Sequence, residues 1–138
     1  MAHPLRRAGT YVGLVIACVA WCVSCGSPAA PSPPTTEPDN GTLTSSTNFG
    51  IFTFTTSSGG DITITLVSLS QAVPVEVSIG TVSGGGCTIQ AVQPSFVIGE
   101  QWQNSLSVAG TYCVEIDDIS TPNPPASLTY SLSVTHPS

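Results

Sequence analysis

The sequence has almost no positive charge. Only Arg6 and Arg7 among its 138 residues are Lys or Arg, whereas eight residues are Asp or Glu. All eight carboxylates lie after residue 25, so the chain beyond that point carries eight acidic side chains and no Lys or Arg, a formal charge of −8 with His136 neutral. Nucleic-acid binding depends on Lys and Arg that neutralise phosphates, and electrostatic adhesion to anionic lipid depends on a basic patch. We therefore expect neither a nucleic-acid partner nor charge-driven membrane binding.

Groups that carry catalysis are equally scarce. His136 is the only histidine after residue 25, and its position near the end of the sequence predicts a frayed side chain. A Ser-His-Asp arrangement requires an imidazole that is held between nucleophile and carboxylate. We therefore assign no catalytic residues and no cofactor, and we expect no enzymatic activity.

The N-terminal segment has the order of a secretory signal. Arg6 and Arg7 precede an apolar run over residues 8–23, which ends in small residues. A basic start, a short apolar middle and a small residue before the cleavage point are typical of a signal peptide, here residues 1–24. The residues Cys22, Val23, Ser24 and Cys25 resemble the lipobox of bacterial lipoproteins. This resemblance implies that Cys25 is diacylated and becomes the mature N-terminus.

Other ways of processing this segment remain open. Cleavage before Cys18 matches the local pattern but leaves a short apolar run. An ordinary signal peptide cut near Ser24 or Ala30 predicts a secreted, soluble protein. An uncleaved anchor helix is the third alternative, although the run is shorter than the ~20 residues that a bilayer requires. With Cys25 acylated, we expect an exported protein held at the membrane of the bacterial cell envelope by its N-terminal lipid.

The composition changes sharply after Cys25. Five prolines lie among Ser, Thr, Ala, Gly and Asn in residues 25–47, and Leu43 is the only large apolar residue. A segment of this composition buries too little apolar surface to offset the entropy lost on ordering. We therefore predict a disordered tether over residues 25–47.

Residues 48–136 have the two-residue period of β-strands. The clearest example is Ile62, Ile64 and Leu66, which alternate with Thr63 and Thr65. Short apolar stretches of this kind recur between turn signals such as Gly59-Gly60 and the glycines at 84–86. About seven to nine short strands predict an all-β domain, an antiparallel, jelly-roll-like β-sandwich.

Three segments of this domain resemble bacterial pre-peptidase C-terminal domains. The segments are 61–66 (DITITL), 110–116 (GTYCVEI) and 130–134 (YSLSV). The resemblance implies a jelly-roll-like sandwich that is an accessory of secreted proteins in secretion, adhesion or substrate contact, without catalysis. In those domains the strand corresponding to residues 73–80 tends to be rich in Asp, whereas here Glu76 is its only acidic residue.

Cys87 and Cys113 are the only cysteines after residue 25. In an exported chain, an isolated pair is most simply a disulfide. The alternative, a redox pair, lacks a Cys-x-x-Cys spacing and a basic group that lowers a thiol pKa. Because Tyr112 and Val114 are expected to point inward, we expect Cys113 to point outward. The bridge is then expected to join neighbouring strands, on an exposed face of the sheet or near the end of a strand.

Trp102 lies among amides, between Gln101 and Gln103 and close to Asn104. An exposed indole can stack on a neutral sugar ring while amides bind its hydroxyls, so these four residues form a candidate glycan site. The alternative is that Trp102 covers the edge of the core, where an aromatic side chain buries a large area.

Glu115, Asp117 and Asp118 are the densest carboxylates of the chain. Oxygen ligands at the end of a strand can hold Ca²⁺, but this spacing does not match an EF-hand loop, and a solvated acidic turn explains it better. We assign no metal site and retain these residues as a weak calcium candidate.

Three classes of function remain. The sequence favours an exported, lipid-anchored accessory or binding module with no activity of its own, whose partner is an envelope protein or a neutral glycan. A purely structural surface protein is the second class, and an enzyme is the third.

Overall fold

The computed structural model of the chain describes residues 32–120 and 125–138. The predicted signal peptide, Cys25 and the tether up to residue 31 lie outside the described residues. Eight β-strands occupy most of the described part. They are β1 (Thr35–Thr44), β2 (Phe49–Thr56), β3 (Gly60–Leu69), β4 (Val75–Ser83), β5 (Gly86–Phe96), β6 (Gln101–Leu106), β7 (Gly110–Asp118) and β8 (Ser127–His136).

The strands form two four-stranded antiparallel sheets. In sheet A the order is β1-β8-β3-β6, and in sheet B it is β2-β7-β4-β5. Consecutive strands lie in different sheets except β4 and β5, which form a hairpin in sheet B, and every ladder is antiparallel. Eight strands in two such sheets form the double Greek key of a jelly roll. The predicted fold class is confirmed.

Strict alternation of side chains builds the core between the sheets. On β3, Ile62, Ile64 and Leu66 are fully buried, and the intervening threonines are only partly buried. β8 has the same pattern, with Leu128, Tyr130, Leu132 and Val134 buried. Each fully buried aliphatic side chain contributes about 1.5–3 kcal/mol relative to exposure. Burial of these alternating residues is what holds the two sheets together.

β1 corrects the predicted extent of the tether. Thr35–Thr44 pairs with β8 along its whole length, and Leu43 is buried in the core. Composition misled the prediction because β1 is an edge strand, held by backbone hydrogen bonds to β8 more than by apolar burial. An edge strand also tolerates Pro38, since a proline without an N–H is acceptable where that group faces away from the ladder. The folded domain therefore begins with β1, not at residue 48.

Candidate functional site

An apolar groove lies between the β3–β4 loop and the turn from β5 to β6. Its volume is about 470 Å³, and it is lined by Leu69, Ala72, Val73 and Pro74 on one side and by Ser95, Val97 and Ile98 on the other. Ser95 supplies the only polar side chain of this lining, and none is charged. Ligand sites are commonly concave, mostly apolar and of about 300–1,000 Å³. The groove therefore has the size and chemistry to receive an uncharged apolar group.

The turn beside the groove is held by its own hydrogen bonds. The Glu100 N–H donates to the Val97 carbonyl (3.0 Å), and the Glu100 carboxylate accepts from the Val97 N–H (3.1 Å) and the Gln93 amide (3.0 Å). Gly99 has a φ of 84°, in the left-handed region that favours glycine. Ser95 has a φ of 57°, a conformation uncommon for residues other than glycine.

The exposed side chains of this turn are aliphatic. Val97 is 59% exposed and Ile98 is 53% exposed. Because the turn is fixed by the hydrogen bonds of Glu100, these side chains are presented in a defined position. Preorganisation of this kind lowers the entropic cost of binding a partner.

The groove lies away from the point where the N-terminal segment enters sheet A. Thr35, the first residue of β1, pairs with His136, whereas Leu69 in the groove pairs with Tyr130, opposite Gly41. Six residues of strand separate these two levels. At ~3.3 Å per residue, the separation is about 20 Å along the sheet.

The four residues of the predicted glycan site do not form one surface. Trp102 lies opposite Ile64, is partly buried and packs against the core. Strand alternation places Asn104 on the same face and Gln101 and Gln103 on the outward face of sheet A. The indole and the two glutamine amides therefore cannot contact one sugar ring together, and Trp102 covers the edge of the core.

The predicted calcium ligands are also separated. Glu115 and Asp117 project from the outward face of sheet B, whereas Asp118 points inward and is 7% exposed. The Asp118 carboxylate accepts hydrogen bonds from the N–H (2.9 Å) and the hydroxyl of Ser120. Within residues 32–120 and 125–138, no three His, Cys, Asp or Glu side chains are arranged to hold a metal ion.

Asp117 has an acidic neighbour that is not among the predicted calcium ligands. Glu76 on β4 lies directly opposite Asp117, on the same outward face as Glu115. Burial, the charge and hydrogen bonding of Glu115 and the charge of Glu76 raise the pKa of Asp117 to about 6. On the other side, β2 places Phe49 opposite Asp117 and Ile51 opposite Glu115, and both apolar side chains are exposed. The alternation of β4 in the sequence predicts that Glu76 points outward. That Glu76 lies next to Asp117 could not be predicted, because it depends on the order of the strands in the sheet.

Cys87 and Cys113 form the predicted disulfide. The expectation that it joins neighbouring strands was wrong, because β4 lies between β5 and β7. Second-neighbour strands in a flat sheet are about 9.6 Å apart, yet the two Cα atoms are 5.8 Å apart. Cys113 points to the face of β7 opposite its inward neighbours, as predicted. That position is not exposed, because Cys113 is completely buried.

Gly80 explains how the bridge crosses β4. It pairs with Cys113 on one side and with Ile89 on the other, next to a register shift in the β4–β5 ladder. A Cβ atom at this position would lie 2.1 Å from the carbonyl oxygen of Thr88. The backbone of β5 thus folds closely over the glycine, and this bend brings Cys87 towards β7.

His136 is buried, not frayed as predicted. It is 2% exposed, and its ring stacks on Phe54 with 4.4 Å between centroids. The ring nitrogens lie 3.4 Å from the Glu37 carboxylate and 2.7 Å from the Pro137 carbonyl oxygen. Pairing of β1 with β8 fixes this end of the chain. No serine is among the hydrogen-bond partners of the imidazole, so the described residues form no Ser-His pair.

A second polar group lies inside the sandwich near β1. The Tyr130 hydroxyl occupies the space beside Gly41 and Gly50, where a Cβ atom would collide with it. Burial raises the pKa of Asp39, and the hydrogen bond from Tyr130 acts in the opposite direction. Burial and the neighbouring Asp39 also raise the pKa of Tyr130. Among the described residues, the buried Oδ2 of Asp39 has no hydrogen-bond partner. This pair escaped the sequence analysis because residue 39 was assigned to the tether.

No protein-family model matches the chain, and no curated protein matches it. The resemblances to lipoproteins and to pre-peptidase C-terminal domains therefore stay predictions. In the part of the chain that the structure describes, no helix is long and apolar enough to cross a membrane.

Proposed function

We propose that the chain is an exported cell-envelope protein, anchored by a lipid on Cys25, whose β-sandwich is a non-catalytic binding module. The order of basic, apolar and small residues before Cys25 supports export and acylation. The disulfide between Cys87 and Cys113 supports an oxidising compartment. The absence of Lys and Arg after Arg7 leaves a lipid, rather than charge, as the means of membrane attachment.

The apolar groove is the observation that carries the binding role. Its rim presents Val97 and Ile98 on a turn held by Glu100, and its lining contains no charge. An occupant of matching chemistry is an uncharged, aliphatic segment of a neighbouring envelope protein. A glycan is a poorer match, since Trp102 does not line the groove and the amides predicted to bind a sugar face elsewhere.

The position of the groove supports the same role. The segment that follows Cys25 enters the sandwich at Thr35, about 20 Å along the strands from the level of Leu69. A domain attached through its N-terminus therefore presents the groove away from the attachment point. This arrangement suits a module that contacts a partner rather than the lipid surface.

Acylation is tested by mass spectrometry of the full chain expressed in a bacterium. The expected product begins at Cys25 and carries a diacylglyceryl group, and Cys25→Ser abolishes the lipid and releases the protein from the membrane fraction. An unmodified product that begins after Ser24 or Ala30 contradicts the lipid anchor and supports a secreted protein.

Binding at the groove is tested with Nile red, an uncharged apolar dye, and a soluble peptide rich in valine and leucine. Both are expected to bind the full chain in a saturable way and to compete with each other. Ile98→Asp is expected to weaken dye binding at least about fivefold, because it places a charge on the rim. Val108→Asp is the matched control, since Val108 is 61% exposed but lies outside the groove. Equal loss in both variants, or no saturable binding, contradicts the proposal and favours a purely structural protein.

A further inference from the structure

β1 is attached to the sandwich mainly through its backbone. It lies at the edge of sheet A and pairs with β8 along its whole length. Only Leu43 among its inward residues is apolar and buried. The three inward positions before it carry two carboxylates and a glycine: Glu37, Asp39 and Gly41. A strand that buries so little apolar surface opens locally at a lower free energy than the strands of the core.

The Asp39 carboxyl lies between the two sheets. Its Oδ2 atom is buried and has no hydrogen-bond partner among the described residues. The Tyr130 hydroxyl donates to this carboxyl, but burial has the larger effect and raises the pKa of Asp39. An ionised carboxylate with an unsatisfied, buried oxygen costs more free energy than a neutral carboxyl at the same site. β1 therefore pairs most stably with β8 when Asp39 is neutral.

No cation among the neighbouring side chains offsets the ionisation of Asp39. Tyr130 faces it from β8, and β2, the nearest strand of sheet B, contains no titratable residue. On β1 itself the next inward carboxylate belongs to Glu37, which lies 3.4 Å from the His136 imidazole. The inward titratable residues of β7 each have a hydrogen-bond partner elsewhere, and they are Tyr112 and Asp118. The described residues contain no Lys or Arg.

The two ends of β1 are held differently. At its C-terminal end Leu43 is buried, and Thr44 and Thr47 exchange backbone hydrogen bonds (2.8 and 3.1 Å) in the turn that follows. At its N-terminal end an exposed hydrogen bond joins the hydroxyls of Thr36 and Thr135 (2.8 Å). Opening therefore starts at the N-terminal end and stops before Leu43. β8 stays in sheet A throughout, because it also pairs with β3.

We propose that residues 35–42 separate reversibly from β8 when Asp39 is ionised and pair with it when Asp39 is neutral, with Leu43 and the turn 44–47 as the hinge. Pairing is then strongest at acidic pH and weakens as the pH rises through the raised pKa of Asp39. The eight released residues add about 26 Å of free chain, at ~3.3 Å per residue. Opening is a property of the sandwich alone, whereas its use to set the distance from a membrane rests on the proposed lipid anchor.

The test is amide hydrogen exchange of the purified full chain, read by mass spectrometry at pH 4.5 and 7.5 and corrected for the intrinsic pH dependence of exchange. Residues 110–118 of β7, a central strand of sheet B, report global unfolding. From pH 4.5 to 7.5, the protection of residues 35–42 is expected to fall at least about fivefold relative to that of 110–118, while residues 43–47 follow 110–118. An unchanged ratio, or an equal loss in all three segments, overturns the proposal.

Substitutions identify the group that titrates. Asp39→Asn removes the ionisation and is expected to give residues 35–42 the same relative protection at both pH values. Glu37→Gln is the matched control, because it removes the other inward carboxylate of β1 and is expected to keep the difference. If Glu37→Gln abolishes the difference and Asp39→Asn keeps it, the contact with His136 is the cause and the proposal is overturned.

Asp39→Val covers the case in which Asp39→Asn does not fold. It places an apolar side chain at the inward position, so β1 is expected to stay paired at both pH values. Protection of residues 110–118 verifies that the variant is folded. A pH difference that persists in folded Asp39→Val protein overturns the proposal.

Salt separates the buried carboxyl from the net charge of the domain. The chain after residue 25 carries a formal charge of −8 with His136 neutral, and repulsion among exposed carboxylates also grows as the pH rises. Salt screens that repulsion but has little effect on the burial of a carboxylate inside the sandwich. The pH difference in residues 35–42 is therefore expected to persist in 0.5 M NaCl. Its disappearance at this salt concentration overturns the proposal.

Discussion

Asp117 on β7 lies directly opposite Glu76 on β4, on the outward face of sheet B. Glu115 shares this face, and the described residues include no Lys or Arg that could neutralise the group. Burial and the two neighbouring carboxylates raise the pKa of Asp117 to about 6. The sheet therefore holds like charges close together, which lowers the free energy of unfolding by an amount that depends on pH.

The first prediction is that the protein becomes more stable as the pH falls from 7 to 5. The pKa of an aspartate in an unfolded chain is about 3.9, below the folded value of Asp117. Between these two values the folded state binds more protons than the unfolded state, so the free energy of unfolding decreases as the pH rises. Asp39 contributes in the same direction, because burial raises its pKa. Thermal unfolding across this pH range measures the effect.

Asp117→Asn isolates the contribution of this cluster. For a partly exposed carboxylate, solvent screening reduces the gain at pH 7 to the order of 1 kcal/mol, which corresponds to an increase in Tm of about 4–8 °C. The variant is expected to lose most of the pH dependence. Asp61→Asn removes the same formal charge from an exposed site outside the cluster and serves as the control. If both variants behave alike, the effect comes from net charge rather than from the pairing of Glu76 with Asp117.

The second prediction concerns the disulfide. Cys87 and Cys113 are 26 residues apart, and the entropy of closing such a loop corresponds to about 3.5 kcal/mol as an upper value. Unfolding in the presence of a reductant is expected to lower the Tm by about 10 °C or more. The Cys87→Ala/Cys113→Ala variant is the control, because the reductant should leave its Tm unchanged. A wild-type Tm that is insensitive to full reduction contradicts a stabilising role for the bridge.

The sandwich was predictable because most of its strands bury one face only. Ile62, Ile64 and Leu66 show this directly, as they alternate with threonines and fill the core of sheet A. β1 was not predictable in the same way. Its inward positions include Glu37, Asp39 and Gly41, so the alternation of apolar residues is missing. Its pairing with β8 is a long-range contact, across more than 80 residues, that local composition does not report.

The arrangement of side chains depended on strand order, which the sequence did not supply. The alternation around Tyr112 correctly predicted that Cys113 lies on the opposite face. It did not predict that β5 bends over Gly80 and covers Cys113. The amides around Trp102 looked like one site because they are adjacent in sequence, whereas strand alternation separates them onto two faces. The groove could not be predicted because it joins two stretches that are distant in the chain, the end of β3 with the following loop (69–74) and the end of β5 with the following turn (95–98).

The third prediction tests the bend at Gly80. Gly80→Ala places a Cβ atom 2.1 Å from the carbonyl oxygen of Thr88, a contact that backbone atoms cannot avoid without shifting β5. We expect destabilisation of at least about 2 kcal/mol, in the range of overpacking in a filled site, and slower formation of the disulfide. Gly86→Ala is the matched control, since its Cβ meets only the Ser83 carbonyl oxygen at 3.9 Å. Equal stability of the two variants in urea unfolding contradicts the close approach of β5.

The fourth prediction distinguishes β1 as a strand from the disordered tether that composition suggests. Leu43 is 1% exposed, so Leu43→Ala removes a buried side chain and leaves a cavity. Such substitutions cost about 2–5 kcal/mol, and urea unfolding is expected to show a loss in this range. Thr42→Ala is the control, because Thr42 is an exposed neighbour on the same strand. If residues 35–44 formed a free tether, neither substitution would change the free energy of unfolding. A large loss in the free energy of unfolding for Leu43→Ala, with no such loss for Thr42→Ala, shows that β1 packs on the core.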